Sequence, residues 1–460
     1  MLDGQHTSPP FDNSILCVPA PAGSQVRVRF ASLGARDRFD PHSWHSEPLQ
    51  ANKGRDDWHQ IDLERLGLAD GSYEYEFLVD ADSDAPVADP YAEEITRFGG
   101  YRGVFHIRDG RRWRQPFHWE NELSEQHPLR NNHQLVIYEM PMRWMESAPE
   151  RIRQVGLGTF EKVVFAHLDR LHALGINAIE LLPVQDSPDT LNWGYGTRFF
   201  FAPDLDIGPP LDLRFFVKHC HRRGIRVIFD VVMNHARNCP LQYLDEARFF
   251  LSAEDEERAH RGEDYGARLF RYWPTTDDQT PAQDFQLRMA DYLITEYHAD
   301  GFRIYEFRGI NNWAFVQRFR DHAWLTHQRH FPTRPFVVIA EDSWRRPVIT
   351  QAAAHNPKGR QQQRRAGNGP AEAGADEPPQ DHGPKEQAHQ GGRIDFAQAN
   401  AVFQKLRAPI DQTPFNRQGQ DHDRPISPEE KGQRLGADSR RIRVGPAVIG
   451  TIWNWLQLEG

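Results

Sequence analysis

Arg226-Val227-Ile228-Phe229-Asp230-Val231-Val232-Met233-Asn234-His235 decides the fold class of this 460-residue chain. Its apolar residues are consecutive rather than alternating, the mark of a strand buried on both faces. It ends in polar residues, as strands do where a parallel sheet presents its reactive edge. Working outward, Leu211 to Arg223 predicts a helix stopped by Gly224. Upstream, Ile176 to Val184 repeats the apolar run, after a helix with Val164, Leu168 and Leu171 on one face and Gly175 as its stop. Leu135 to Glu139 is a shorter strand. Downstream, a helix carrying Met289, Leu293 and Tyr297 leads to Gly301–Tyr305, and a helix around Trp313–Leu325 leads to Phe336–Glu341. Five strand–helix units in series imply a parallel sheet with right-handed crossovers. At this size an α/β fold, a (β/α)8 barrel over residues 134–349, is expected.

The flanks differ. In residues 1–112, Val26, Val28 and Phe30 alternate with polar residues, as do Tyr73, Tyr75, Phe77 and Val79 with Glu74 and Glu76. This predicts an all-β, immunoglobulin-like sandwich. Residues 113–133 read as a polar, irregular linker. Residues 350–400 are too rich in Gln, Gly, Pro and Arg to bury a core and are expected to be disordered. Residues 401–460 hold only two apolar stretches, which could form a degenerate end of the barrel; a damaged reading of an ordinary gene would also explain the break.

Net charge is −10 with both signs interspersed, which argues against a nucleic-acid partner. Three cysteines and no basic-then-apolar leader predict a cytoplasmic protein, and no run approaches the ~20 apolar residues of a membrane span. Mean hydropathy is −0.72, consistent with a partly unpacked chain.

Chemistry gathers at the ends of the predicted strands: Asp230, Asn234 and His235 after the third, Arg303 and Tyr305 at the fourth, and Glu341 at the fifth. Trp193 and Tyr195 sit in the loop after the second. Carboxylates, an arginine and aromatic platforms suit carbohydrate, because aromatics stack on sugar faces while short polar groups grip hydroxyls. Trp44 and Trp58 could form a second platform on the sandwich.

From residue 134 to 347 the chain resembles the α-amylase family, glycoside hydrolase family 13. The motifs are Asp230 to His235, Gly301 to Tyr305, Val338 to Glu341 and Gly175 to Val184. Trp193-Gly194-Tyr195 with Phe201-Ala202-Pro203 is most similar to its branching enzymes and maltooligosyltrehalose trehalohydrolases. In those relatives a domain like carbohydrate-binding module family 48 stands where residues 1–112 stand here. The resemblance implies a glycosidase or transglycosidase acting on α-1,4-glucan or maltooligosaccharide by retaining double displacement; no cofactor is expected, and no metal is assigned, since Asn234 has no further oxygen ligands at convincing spacing. It gives Glu341 the acid/base role and makes Arg303 the partner of the nucleophile. Asp230, His235, Asn234, Tyr195 and Trp193 become substrate contacts, and His422 and Asp423 the family's last motif.

One position departs from the pattern. The nucleophile's place holds Tyr305, a bulky phenol that ionises only near pH ~10. Catalysis is therefore expected to be impaired, with a non-catalytic glucan-binding scaffold as the alternative. Glu306 is expected to be no substitute, since one residue along a strand turns the side chain to the opposite face.

Overall fold

The computed structural model describes residues 14–34, 43–52, 55–80, 85–97, 100–146, 156–188, 193–255, 265–275, 277–342 and 456–457. The expected disordered segment lies outside the described residues, as does the expected barrel end apart from Leu456–Gln457.

Two antiparallel sheets form the N-terminal part. One runs His45–Pro48, Val26–Ser32, Gly71–Val79, Arg102–Arg108 and Ile95–Thr96, with Arg111–Trp113 paired to Arg102–Arg108. The other runs Ile15–Pro19, Arg55–Asp62 and Gln50–Asn52. Val18, Val28, Phe30, Tyr75, Phe77 and Phe105 are buried in their common core. The alternation rule sends Glu74 and Glu76 to solvent, yet both are buried. Arginines cover that face instead: Arg102 pairs with Glu74 at 3.2 Å, and Arg29 donates to Glu76 at 2.7 Å. Neither sandwich tryptophan is an open platform. Trp58 is buried against Tyr91, and Trp44 has the guanidinium groups of Arg29 and Arg102 at 5.2 and 4.8 Å.

The remainder is the α/β part. Ile137–Met140, Ala178–Leu181, Arg226–Val231, Gly301–Ile304 and Val337–Ala340 are five parallel strands, each paired with the next in chain order. Between them run helices Phe160–Ala166, Leu168–Ala173, Pro210–His221, Pro281–Tyr297 and Trp313–His330. Two helix starts are capped as their sequences suggest, by Thr159 on Lys162 and by Asn312 on Phe315. Alternate strand residues divide cleanly. Ile179, Leu181, Val227, Phe229, Val231, Phe302, Ile304 and Val338 join the large core with the helices. Ala178, Ile228, Val337 and Ile339 form a separate cluster on the inner face. This layering is that of a (β/α) barrel. Beyond the fifth strand, Leu456–Gln457 pairs with Ile339–Ala340 antiparallel, so among the described residues the parallel progression ends there.

Residues 114–131 carry no regular strand or helix, yet they are tied to the barrel. Glu122 is buried and accepts from His221 Nδ1 at 2.5 Å, His298 Nδ1 at 2.9 Å, and both Arg334 amino nitrogens at 2.9 and 2.6 Å. His221 Nε2 meets Asp300 at 2.7 Å, and Trp119 stacks on His298 at 3.7 Å. Asp300 immediately precedes the fourth strand, so this clamp lies at the end of the barrel that carries stability rather than chemistry. The sandwich is tied on separately, by Arg97 to Asp186, Asp204 and Asp206 and by Arg248 to Asp57.

Candidate active site

The inner face changes character along the strands. At the lower level it is apolar; two residues on, it carries Glu139, Glu180, Asp230, Arg303 and, just past the fifth strand, Glu341. Strand register sets Asp230 directly opposite Arg303. The Arg303 guanidinium reaches Asp230 Oδ2 at 2.9 Å and Glu341 Oε1 at 3.0 Å, with Glu180 Oε1 3.7 Å from its Nε. Burial opposes the charge on Arg303, but Asp230, Tyr195, Glu341 and Glu180 together hold it firmly protonated. The acids divide. Burial pushes the Glu180 and Asp230 carboxyls up, and repulsion from Asp230 raises Glu180 further. Asp230 also accepts the Tyr195 hydroxyl at 2.6 Å. Glu341 has both oxygens engaged, the second accepting the Glu306 backbone N–H at 2.9 Å.

Tyr305 enters the middle of this group. Its ring stacks on Tyr195 with centroids 4.2 Å apart and planes at 30°. His235 meets it edge-on at 6.3 Å, and the Arg303 guanidinium carbon lies 5.6 Å from its centroid. Burial raises its pKa, and the negative charges of Glu341, Glu306 and Asp230 raise it further. Position 305 is therefore a neutral phenol lying across an aromatic face.

The fourth strand ends at Ile304, so strand alternation does not govern Glu306. Glu306 adopts the left-handed region (φ 41°), and its backbone N–H, not its carboxylate, donates to Glu341. Burial first, and Glu341 second, raise the pKa of its carboxyl. His235 is buried and spends both ring nitrogens within the protein, on the Tyr195 carbonyl at 2.8 Å and the Asn234 side chain at 2.9 Å. It holds the Tyr195 loop in place.

That loop depends on one glycine. Gly194 has φ +81°, and an added Cβ would lie 2.4 Å from the Pro183 carbonyl oxygen. Trp193 before it is also left-handed, at φ 74°, and is exposed. Gly194→Ala is expected to destabilise the chain by about 2 kcal/mol or more and to loosen Tyr195, seen as a lower thermal midpoint.

The structure thus brings together Glu341, Tyr305, Arg303, Asp230, His235, Asn234 and Tyr195, with Trp193 at the rim. His422 and Asp423 lie outside the described residues. Glu139 and Glu180 belong to the same constellation and were missed as site residues. Their signal was a charged residue inside an apolar run at the inward parity of its strand.

Residues 137–331 match the alpha-amylase catalytic domain; the match ends before the fifth strand and Glu341. A 1,4-alpha-glucan branching enzyme of Methylococcus capsulatus is 30% identical over 241 residues, 47% of this chain and 30% of that protein. A malto-oligosyltrehalose trehalohydrolase of Saccharolobus solfataricus is 27% identical over 312 residues, 66% of this chain and 46% of that protein. The chain therefore spans less than half the length of these two relatives. The solved structure of GBS pullulanase SAP with maltotetraose superposes with a TM-score of 0.52 at 20% identity, over 72% of this chain and 45% of that one, and shares the fold. Residues 137–331, which carry the first four parallel strands, are thus similar to an alpha-amylase catalytic domain.

Proposed function

We propose that this chain is an α-glucan-binding member of the family in which double displacement on α-1,4-linked chains is severely weakened by Tyr305. Retaining glycosidases need two carboxyl groups about 5–5.5 Å apart, one as nucleophile and one as acid/base. Glu341 suits the second role. The first falls to Tyr305, a neutral phenol.

The observation that carries this reading is the Tyr195–Tyr305 stack. Tyr195 is the aromatic face on which a sugar ring would rest, and the Tyr305 ring already lies on it. Arg303, with no carboxylate at 305, turns to Asp230 and Glu341. The defect is thus double: no nucleophile, and an occupied platform. The same stack favours a second reading, a glucan-binding or scaffolding protein without turnover. The relatives' names, a 1,4-alpha-glucan branching enzyme and a malto-oligosyltrehalose trehalohydrolase, support the substrate class. The low cysteine count, three in 460 residues, supports a reducing, cytoplasmic setting.

The test is incubation of the full chain with amylose and with glycogen, following reducing ends and branch points. Binding with turnover near background is expected. Robust turnover by the chain as it stands would refute the impairment.

A further inference from the structure

Glu180 is fully buried beneath the cleft, and neither of its carboxyl oxygens has a hydrogen-bond partner among the described residues. Register sets it beside Glu139 on the first barrel strand and beside Ile228 on the third, an apolar residue of the inner face two positions short of Asp230. The charged groups around it are Asp230, Arg303, Glu139 and Glu341, three acids and one cation. That cation is turned elsewhere. The Arg303 guanidinium meets Asp230 at 2.9 Å and Glu341 at 3.0 Å, whereas its Nε stands 3.7 Å from Glu180.

A carboxylate in such a place is costly, because burial strips its hydration and no donor replaces it. A neutral carboxylic acid costs far less. Burial raises the Glu180 pKa most, and Asp230, Glu139 and Glu341 outweigh the opposing pull of Arg303. Neutrality has a consequence for its neighbours. An ionised Glu180 would compete for the guanidinium through Nε, at the expense of the two carboxyls that face the opening of the cleft.

We propose that Glu180 is a positioning residue: as a neutral acid beneath Arg303 it leaves the guanidinium to Asp230 and Glu341, and so holds those two carboxyls in the arrangement that grips a glucose unit. The gripping rests on the α-glucan reading of the cleft. The proton on Glu180 does not.

Infrared spectra of the full chain test the proton directly. Near neutral pH the carbonyl stretch of a protonated carboxylic acid is expected, and it should be lost in Glu180→Gln. An unmodified chain without that band, or a Glu180→Gln variant that keeps all of it, would overturn the proposal. Maltoheptaose affinity reads the positioning. Between about pH 7 and about pH 9.5 the unmodified chain should weaken about tenfold, the loss of one charge-assisted hydrogen bond, as Glu180 ionises and draws Arg303 away. In Glu180→Gln, whose carboxamide cannot ionise, that fall should vanish. Equal falls in both chains would overturn the positioning role. Should Glu180→Gln fail to fold, the unmodified chain still decides, because its band should outlast the ionisation of Asp89 and Asp230 as pH rises. A chain that binds no maltoheptaose at any pH refutes the glucan reading, and the infrared band then judges Glu180 separately.

Discussion

Tyr305→Asp is expected to raise release of reducing ends from amylose at least about a thousandfold over the unmodified chain, because loss of a nucleophile costs other hydrolases several powers of ten in kcat. The substitution acts twice. It lifts the ring off Tyr195, freeing the platform for a sugar, and it puts a carboxylate near Arg303, whose charge favours the ionised form. Tyr305→Ala separates the two effects. It opens the platform without supplying a nucleophile, so maltoheptaose binding should tighten while turnover stays at background. Adding Glu341→Gln to Tyr305→Asp should abolish the gained activity. An inert Tyr305→Asp would mean that position 305 is not the main defect.

His221→Ala is expected to cost about 3–5 kcal/mol, since it strips one partner from a buried ionic cluster and leaves Glu122 and Asp300 under-compensated. The pH dependence identifies the cause. Burial disfavours the His221 charge, but Asp300 and Glu122 outweigh it and push its pKa up to about 9. The folded state thus holds a proton that the unfolded chain releases near its ordinary pKa of about 6.5. The stabilisation is complete below that value and is lost as pH rises through about 9. Around it stand His298 and Arg334 on Glu122, Arg226 beside Asp300, and His327, whose pKa burial lowers to about 4. His327 works in the other sense: its contribution is present above its ordinary pKa and fades on acidification toward about 4. The urea midpoint of the unmodified chain should fall on going from pH 6.5 to pH 9.5, about the ends of the His221 window. In His221→Ala that fall should largely vanish. An equal fall in both would remove His221 as its cause.

Much of the architecture was legible in the chain. Buried parallel strands leave no polar face, so the runs at Ile176–Val184 and Arg226–Val232 announced themselves, and the residues that interrupt or end such runs marked Asp230, Arg303 and Glu341. Inward parity would have added Glu139 and Glu180. The alternation rule failed where its premise failed. Glu74 and Glu76 are buried because arginines neutralise them, and alternation does not reach Glu306 because the strand has already ended.

Hydrophobic periodicity and residue identity are local properties, so the parallel sheet, the order of the site residues along it and the substitution at 305 can all be read from the chain. What that substitution does follows from the folded arrangement around it. Whether a tyrosine in place of an aspartate merely fails to react or also lies on the sugar platform depends on where Tyr195, 110 positions earlier, puts its ring. That depends in turn on Gly194 and His235 in loops from two different strands. The same holds for Glu122, an unremarkable acid in a polar stretch until His221, His298 and Arg334 converge on it. Contacts between distant segments are set by packing in three dimensions, and no periodicity along the chain encodes them.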